Sequence, residues 1–143
     1  MPRVQLDLPE SFTYRTEIIL RVTDMNYAGH MGNDTVMALF HEARSRLLKE
    51  GGCEGQKIGG LGLVVADAVV VYKAQAHYAE VMLVEMTARD FNKYGCDLVY
   101  RISNRDTGTE IARGKTGIVF FNYEQGRPNP VPAQFHELIG VPA

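Results

Sequence analysis

Val36, Phe40, Ala43 and Leu47 recur at helical spacing, and Met37, Leu39 and Leu48 widen the stripe they form. Lys49 suits a last helical turn, and Gly51-Gly52 ends the pattern, so the spacing predicts one long helix. No second long helix is visible. A broad apolar face must be covered, and the only cover this chain offers is β structure. Phe12 to Val22 reads as a strand ahead of the helix, enriched in β-branched and aromatic residues. After a glycine-rich connection, Leu63 to Tyr78 contains the apolar run Leu63–Tyr72, interrupted by Asp67. Strand patterns follow over Val81 to Phe91, Cys96 to Ser103 and Glu110 to Tyr123, with Asn104-Arg-Asp-Thr-Gly108 as a hairpin turn. The expectation is an α+β fold in which a curved antiparallel sheet wraps around one long central helix. A single domain of residues 1–143 is expected, with its core over about 12–123. Residues 124–143, punctuated by Pro128, Pro130 and Pro132, read as an irregular C-terminal arm with at most a helical turn at Phe135 to Ile139. Such a sheet has open edges, so a homodimer or homotetramer is expected.

Composition narrows the function classes. The formal charge of -2 and a pI near 6.1 argue against nucleic-acid binding, which needs a basic footprint. No apolar run approaches the ~20 residues of a membrane span, and the first residues lack a signal core, so a cytoplasmic protein off the membrane is expected. Cys53 and Cys96 lack metal-ligand or CxxC spacing and read as unpaired thiols. His30, His41, His77 and His136 are not spaced as ligands, so no metal and no cofactor are expected.

Chemistry concentrates just before the helix. The stretch Arg21-Val-Thr-Asp-Met-Asn-Tyr-Ala-Gly-His-Met-Gly-Asn-Asp34 places Asp24, Asn26, His30, Asn33 and Asp34 within eleven residues, beside Gly29 and Gly32. A strand-to-helix connection needs one cap and one glycine. Asn33 is the expected N-cap, with Asp34 in the first turn where the helix dipole favours it. The surplus of a carboxylate, an amide and an imidazole is the inventory of an active site.

The order of elements, together with this loop and Phe40-His-Glu-Ala-Arg44 in the helix, resembles the hotdog-fold thioesterases, in particular the 4-hydroxybenzoyl-CoA thioesterase-like group. The resemblance runs from about Thr13 to Tyr123, with a further match at Val71-Tyr72-Lys73-Ala74, Glu80 and Leu83-Val84. That group places a catalytic aspartate where this chain has Asn26, which cannot serve as a carboxylate nucleophile or base. The loop is also similar to that of acyl-ACP thioesterases, which reads D-x-N-x-H-x-N-N. Asp24, Asn26, His30 and Asn33 match its residue types, with Ala28-Gly29 lengthening the gap before the histidine, and Glu42 matches its later acidic residue.

The resemblance implies hydrolysis of an acyl-CoA, aroyl-CoA or acyl-carrier thioester. That reaction needs an activated water or nucleophile, donors for the developing oxyanion, and a socket for the acyl group. Asp24, His30 or Glu42 is the candidate base. Glu42 is expected at the edge of the apolar stripe, or else paired with Arg46 or Arg21. Asn26 is a candidate to orient water or bind the carbonyl, and the N–H groups of Gly29, His30 and Met31 are candidate oxyanion donors. Tyr27, Phe40 and Asn33 are expected at the substrate, and Lys73 is available for coenzyme phosphates. Two alternatives follow. The Asn26 departure suits a thioester-binding protein with little hydrolytic power, and hotdog dehydratases share the fold.

Overall fold

The computed structural model describes residues 2–143. Strand β1 (Tyr14–Ile19) leads through a tight 3₁₀ turn at Val22–Asp24 and a polar loop into helix α1 (Asn33–Glu50). Then come β2 (Lys57–Ile58), β3 (Leu61–Tyr72), β4 (Val81–Arg89), β5 (Gly95–Asn104), β6 (Glu110–Asn122), β7 (Arg127–Pro128) and helix α2 (Ala133–Ile139). The strands form one antiparallel sheet in the order β1-β4-β5-β6-β3-β2, with β7 on β6.

Period-two alternation decides which side chains meet the helix. Met82, Val84 and Met86 of β4, Leu98, Tyr100 and Ile102 of β5, and Ala112, Ile118 and Phe120 of β6 are buried on the concave face. Val36, Leu39, Phe40, Ala43 and Leu47 of α1 complete that core, as the helical stripe required. Phe40 stacks on Tyr100 at 4.3 Å between ring centroids. Gly114 makes room for it, since a Cβ there would lie 2.5 Å from the Phe40 ring. The buried Tyr100 hydroxyl is satisfied by Thr116 at 2.9 Å and Arg44 at 3.2 Å, so the core carries no orphaned phenol. Register shifts between Val65 and Asp67 and between Ile102 and Ser103 accompany the curl around α1. The architecture is the hotdog fold.

Three local readings need correction. The cap of α1 is Gly32, in extended conformation, and Asn33 is the first helical residue. The Asp34 carboxylate folds back over Gly32, where an added Cβ would lie 2.5 Å from Asp34 Oδ1, so a side chain at 32 would collide with it. The first long strand pattern ends at Tyr72, and the chain then turns through Lys73–Glu80 before β4. The C-terminal tail is no loose arm, because Phe135 and Ile139 of α2 lie in the core and Phe135 packs edge-on against Phe120. Both cysteines are free, and burial pushes the Cys96 thiol up to about 12.

Candidate active site

The connection into α1 is held by its own polar groups. Asp24 is buried, and its carboxylate accepts the Arg21 backbone N–H at 2.7 Å and approaches the Arg21 guanidinium at 3.4 Å. Its carbonyl accepts from the Gly32 N–H at 3.1 Å and from the Thr35 hydroxyl at 3.0 Å. Asp24 thus ties the start of the loop to the start of the helix. Asn26 closes the tip, where its Oδ1 accepts the N–H groups of Ala28 (2.9 Å) and His30 (3.4 Å). With the oxygen so engaged, the amide nitrogen is the group Asn26 has left for a ligand. Gly29, at φ +84°, makes the reversal possible.

These turns leave a cleft of about 400 Å³ at the N-terminus of α1. Asn26, His30, Met31 and Asn33 line one wall, and Tyr72, Lys73, Ala74 and Gln75 line the other. The second wall is held to the first, since the Tyr72 hydroxyl donates to the Asn33 carbonyl at 3.0 Å and the Met31 N–H donates to Ala76 at 2.7 Å. The His30 imidazole, half-buried, makes no hydrogen bond or ion pair among the described residues. The Lys73 ammonium forms no ion pair there either. Asn33 and Asp34 open the helix, so their N–H groups have no intrahelical acceptor and carry the positive end of its dipole.

Five of the sequence-derived site residues therefore meet: Asn26, His30, Met31, Asn33 and Lys73. The others lie elsewhere. The Asp24 carboxylate is spent on Arg21. Glu42 is half-exposed and pairs with Arg46 at 2.7 Å, while Arg46 also binds Thr16 and the Glu17 carbonyl of β1. Nine residues into the helix, it sits roughly 13 Å along the axis from the cleft. Phe40 has no exposed surface, because the centre of the apolar stripe faces the sheet. Tyr27 projects from the loop tip fully into solvent. The N–H groups of Gly29 and His30 are consumed inside the loop, by the Asn26 carbonyl and Asn26 Oδ1, and that of Met31 by the Ala76 carbonyl between β3 and β4. The helix-start amides of Asn33 and Asp34 take over as the available donors. Tyr72, Ala74 and Gln75 are lining residues not foreseen, although Tyr72 and Ala74 belong with Lys73 to the Val71–Ala74 stretch that carries part of the resemblance. A larger hollow of about 590 Å³ at the other end of α1, between Gly51–Cys53 and Gln134–Leu138, shares none of these residues.

A family model described as the thioesterase-like superfamily matches residues 20–139. The chain belongs to that superfamily. This thioesterase-like chain also superposes on solved structures that share its fold at low identity. One is a 1,4-dihydroxy-2-naphthoyl-CoA thioesterase from Synechocystis, with 22% identity and a TM-score of 0.80 over 89% of this chain and 95% of that one. Another is a protein from Pseudomonas aeruginosa strain PAO1, with 20% identity and a TM-score of 0.82 over 92% of each chain. The dynemicin thioesterase gives 16% identity and a TM-score of 0.79 over 89% of this chain and 94% of that one. No curated protein matches the chain. No helix among the described residues is long and apolar enough to cross a membrane.

Proposed function

We propose that this thioesterase-like protein hydrolyses an acyl-CoA or aroyl-CoA to the free acid and CoA at the cleft before α1. Of the three candidate bases, only His30 faces that cleft, and this is the observation that carries the reading. His30 takes a proton from a water molecule as its oxygen attacks the thioester carbonyl, forming a C–O bond while the C–S bond later breaks. The developing oxyanion is met by the Asn26 side-chain amide and by the N–H groups of Asn33 and Asp34, where the helix dipole adds its field. His30, now protonated, returns the proton to the departing thiolate. Lys73 lies on the opposite wall, suited to the coenzyme's phosphates.

One observation favours a second reading. No free carboxylate lines the cleft among the described residues, and a protein that binds thioesters without hydrolysing them would need none. A single experiment separates the two. The intact protein, His30→Ala and Asn26→Asp are assayed for thiol release across acyl-CoAs of varied chain length and aryl acids. Hydrolysis by the intact protein, reduced about 100-fold or more in His30→Ala, supports the proposal. No turnover on any substrate by well-folded protein, with strong activation in Asn26→Asp, supports the binding reading. Asp at 26 would accept the Ala28 and His30 N–H groups as Asn26 does, so the loop should survive the change.

A further inference from the structure

Arg44 of α1 is half-buried against the sheet, yet among the described residues it pairs with no carboxylate. Its Nη1 donates to the Tyr100 hydroxyl at 3.2 Å, and that hydroxyl already meets Thr116 at 2.9 Å. A guanidinium has five N–H donors and a full charge, so one shared phenol leaves most of its capacity unused. Arg46, on the other flank of the helix, shows the contrast. Its charge is met by Glu42, and its donors also reach Thr16 and the Glu17 carbonyl.

The surroundings of Arg44 lead back to the cleft. It stands eleven residues after Asn33, about three helical turns, so the two share a face with Met37 between them. Opposite that face runs β3. Register pairs Tyr72 with Ala112, Val70 with Gly114 and Ala68 with Thr116, so Tyr72, Val70 and Ala68 point to the helix side of the sheet. Thr116 holds the same phenol as Arg44, which puts the guanidinium near Ala68. The helix leaves these positions open, since Ala68 is exposed and Met37 and Val70 are only half-buried. The result is an apolar groove, roughly 13 Å long from Tyr72 to Ala68, that ends at a cation. Tyr72, 54% exposed, stands where groove and cleft meet. Asp67 turns to the opposite face and bonds Lys115 at 2.8 Å, so it does not neutralise Arg44.

We propose that this groove takes the acyl part of the thioester, and that Arg44 is a specificity-determining residue that selects acyl groups ending in a carboxylate. The inference rests on the hydrolytic reading for the place of the thioester in the cleft. With the thioester carbonyl beside His30, the chain lies along Met37 and Val70, and its terminal carboxylate meets the guanidinium in a two-point contact. A methyl end gains nothing from Arg44. A carboxylate supplies the opposite charge to a cation that folding has partly removed from water. A charge-assisted pair of this kind discriminates by about 10-fold to 100-fold.

Pairs of CoA thioesters of equal length test it: succinyl against butanoyl, adipoyl against hexanoyl, suberoyl against octanoyl, and sebacoyl against decanoyl. The ratio of kcat/KM within each pair is measured for the intact protein, Arg44→Gln and Arg44→Lys. Affinity for the same pairs is measured by calorimetry on His30→Ala, which reads the groove without turnover. The expected result is a preference of about 10-fold or more for the carboxyl-ended member at one or more lengths, in affinity as in kcat/KM. Arg44→Gln should lose that preference, and Arg44→Lys should keep part of it. If Arg44→Gln slows both members of each pair alike, Arg44 only supports Tyr100 and the proposal falls. Absence of a preference at every length in the intact protein overturns it with no variant needed, so a misfolded Arg44→Gln leaves it decidable. Binding of suberoyl-CoA over octanoyl-CoA without turnover of either would refute the hydrolytic reading and sustain the groove. A lower mass of Arg44→Gln in sedimentation, with the pair ratios unchanged, would assign the guanidinium to a second copy and overturn the proposal equally.

Discussion

The main chain and side chain of Asp24 do different jobs, and neither faces the cleft. Its carboxylate satisfies the Arg21 N–H, while its carbonyl holds both Gly32 and Thr35. Asp24→Ala should therefore cost about 1–2 kcal/mol of folding stability, the value of a lost cap-type hydrogen bond at a buried site, measured by urea denaturation. Thiol release per folded molecule should fall less than in His30→Ala. If the two variants lose activity equally, Asp24 belongs to the chemistry. At this scale the sequence was informative about where polar groups gather but not about what each one does. Asp and Asn stabilise turns with the same oxygens that serve catalysis, so Asp24 and Asn26 looked alike until their partners were visible. Glu42 was open between site and salt bridge, and the structure supplies Arg46 as its partner.

The helix and the central strands were legible because their periodicity is long and regular. The stripe from Val36 to Leu47 is buried as its spacing demanded, and the β5–β6 hairpin turns at Asn104–Gly108, where Asn104 Oδ1 accepts the N–H groups of Asp106 and Thr107. The same stripe explains the misplacement of Phe40. A residue at its centre points into the sheet, whereas a cleft residue must lie at the helix start. Helix α2 was legible only as a single turn at Phe135 to Ile139, because seven residues give too little period to show that Phe135 and Ile139, one turn apart, belong to the core. Helix and sheet approach closely at Gly114, whose added Cβ would also sit 2.6 Å from the Val69 carbonyl. Gly114→Ala should destabilise the fold by about 1–3 kcal/mol through overpacking against Phe40, seen as a lowered midpoint in chemical denaturation. A neutral result would mean that the Phe40–Tyr100 stack can shift without cost.

In the whole molecule, β3 is the strand with most to gain from a neighbour. β2 covers only its first two residues, Leu61 and Gly62, so the stretch through Val65 and Ala68 to Tyr72 presents an open edge. The homodimer expected from the sequence would use it. Ala68→Lys, a charge on an exposed edge position, should then give a folded monomer by light scattering, with its circular dichroism unchanged. Retention of a dimer would place the contact elsewhere. Tyr72 ends this strand and also forms a cleft wall, so the two walls differ in how freely they can vary. The Asp24 and Asn26 hydrogen bonds knit one wall to the helix, and a change there propagates into the fold. The Tyr72–Gln75 wall is exposed and is held mainly through its backbone, with Lys73 and Ala74 bonded to the Ile111 carbonyl and Tyr72 making its one side-chain hydrogen bond, to Asn33. Divergence toward a new acyl group, whether by evolution or by engineering, has its least costly route through those four positions.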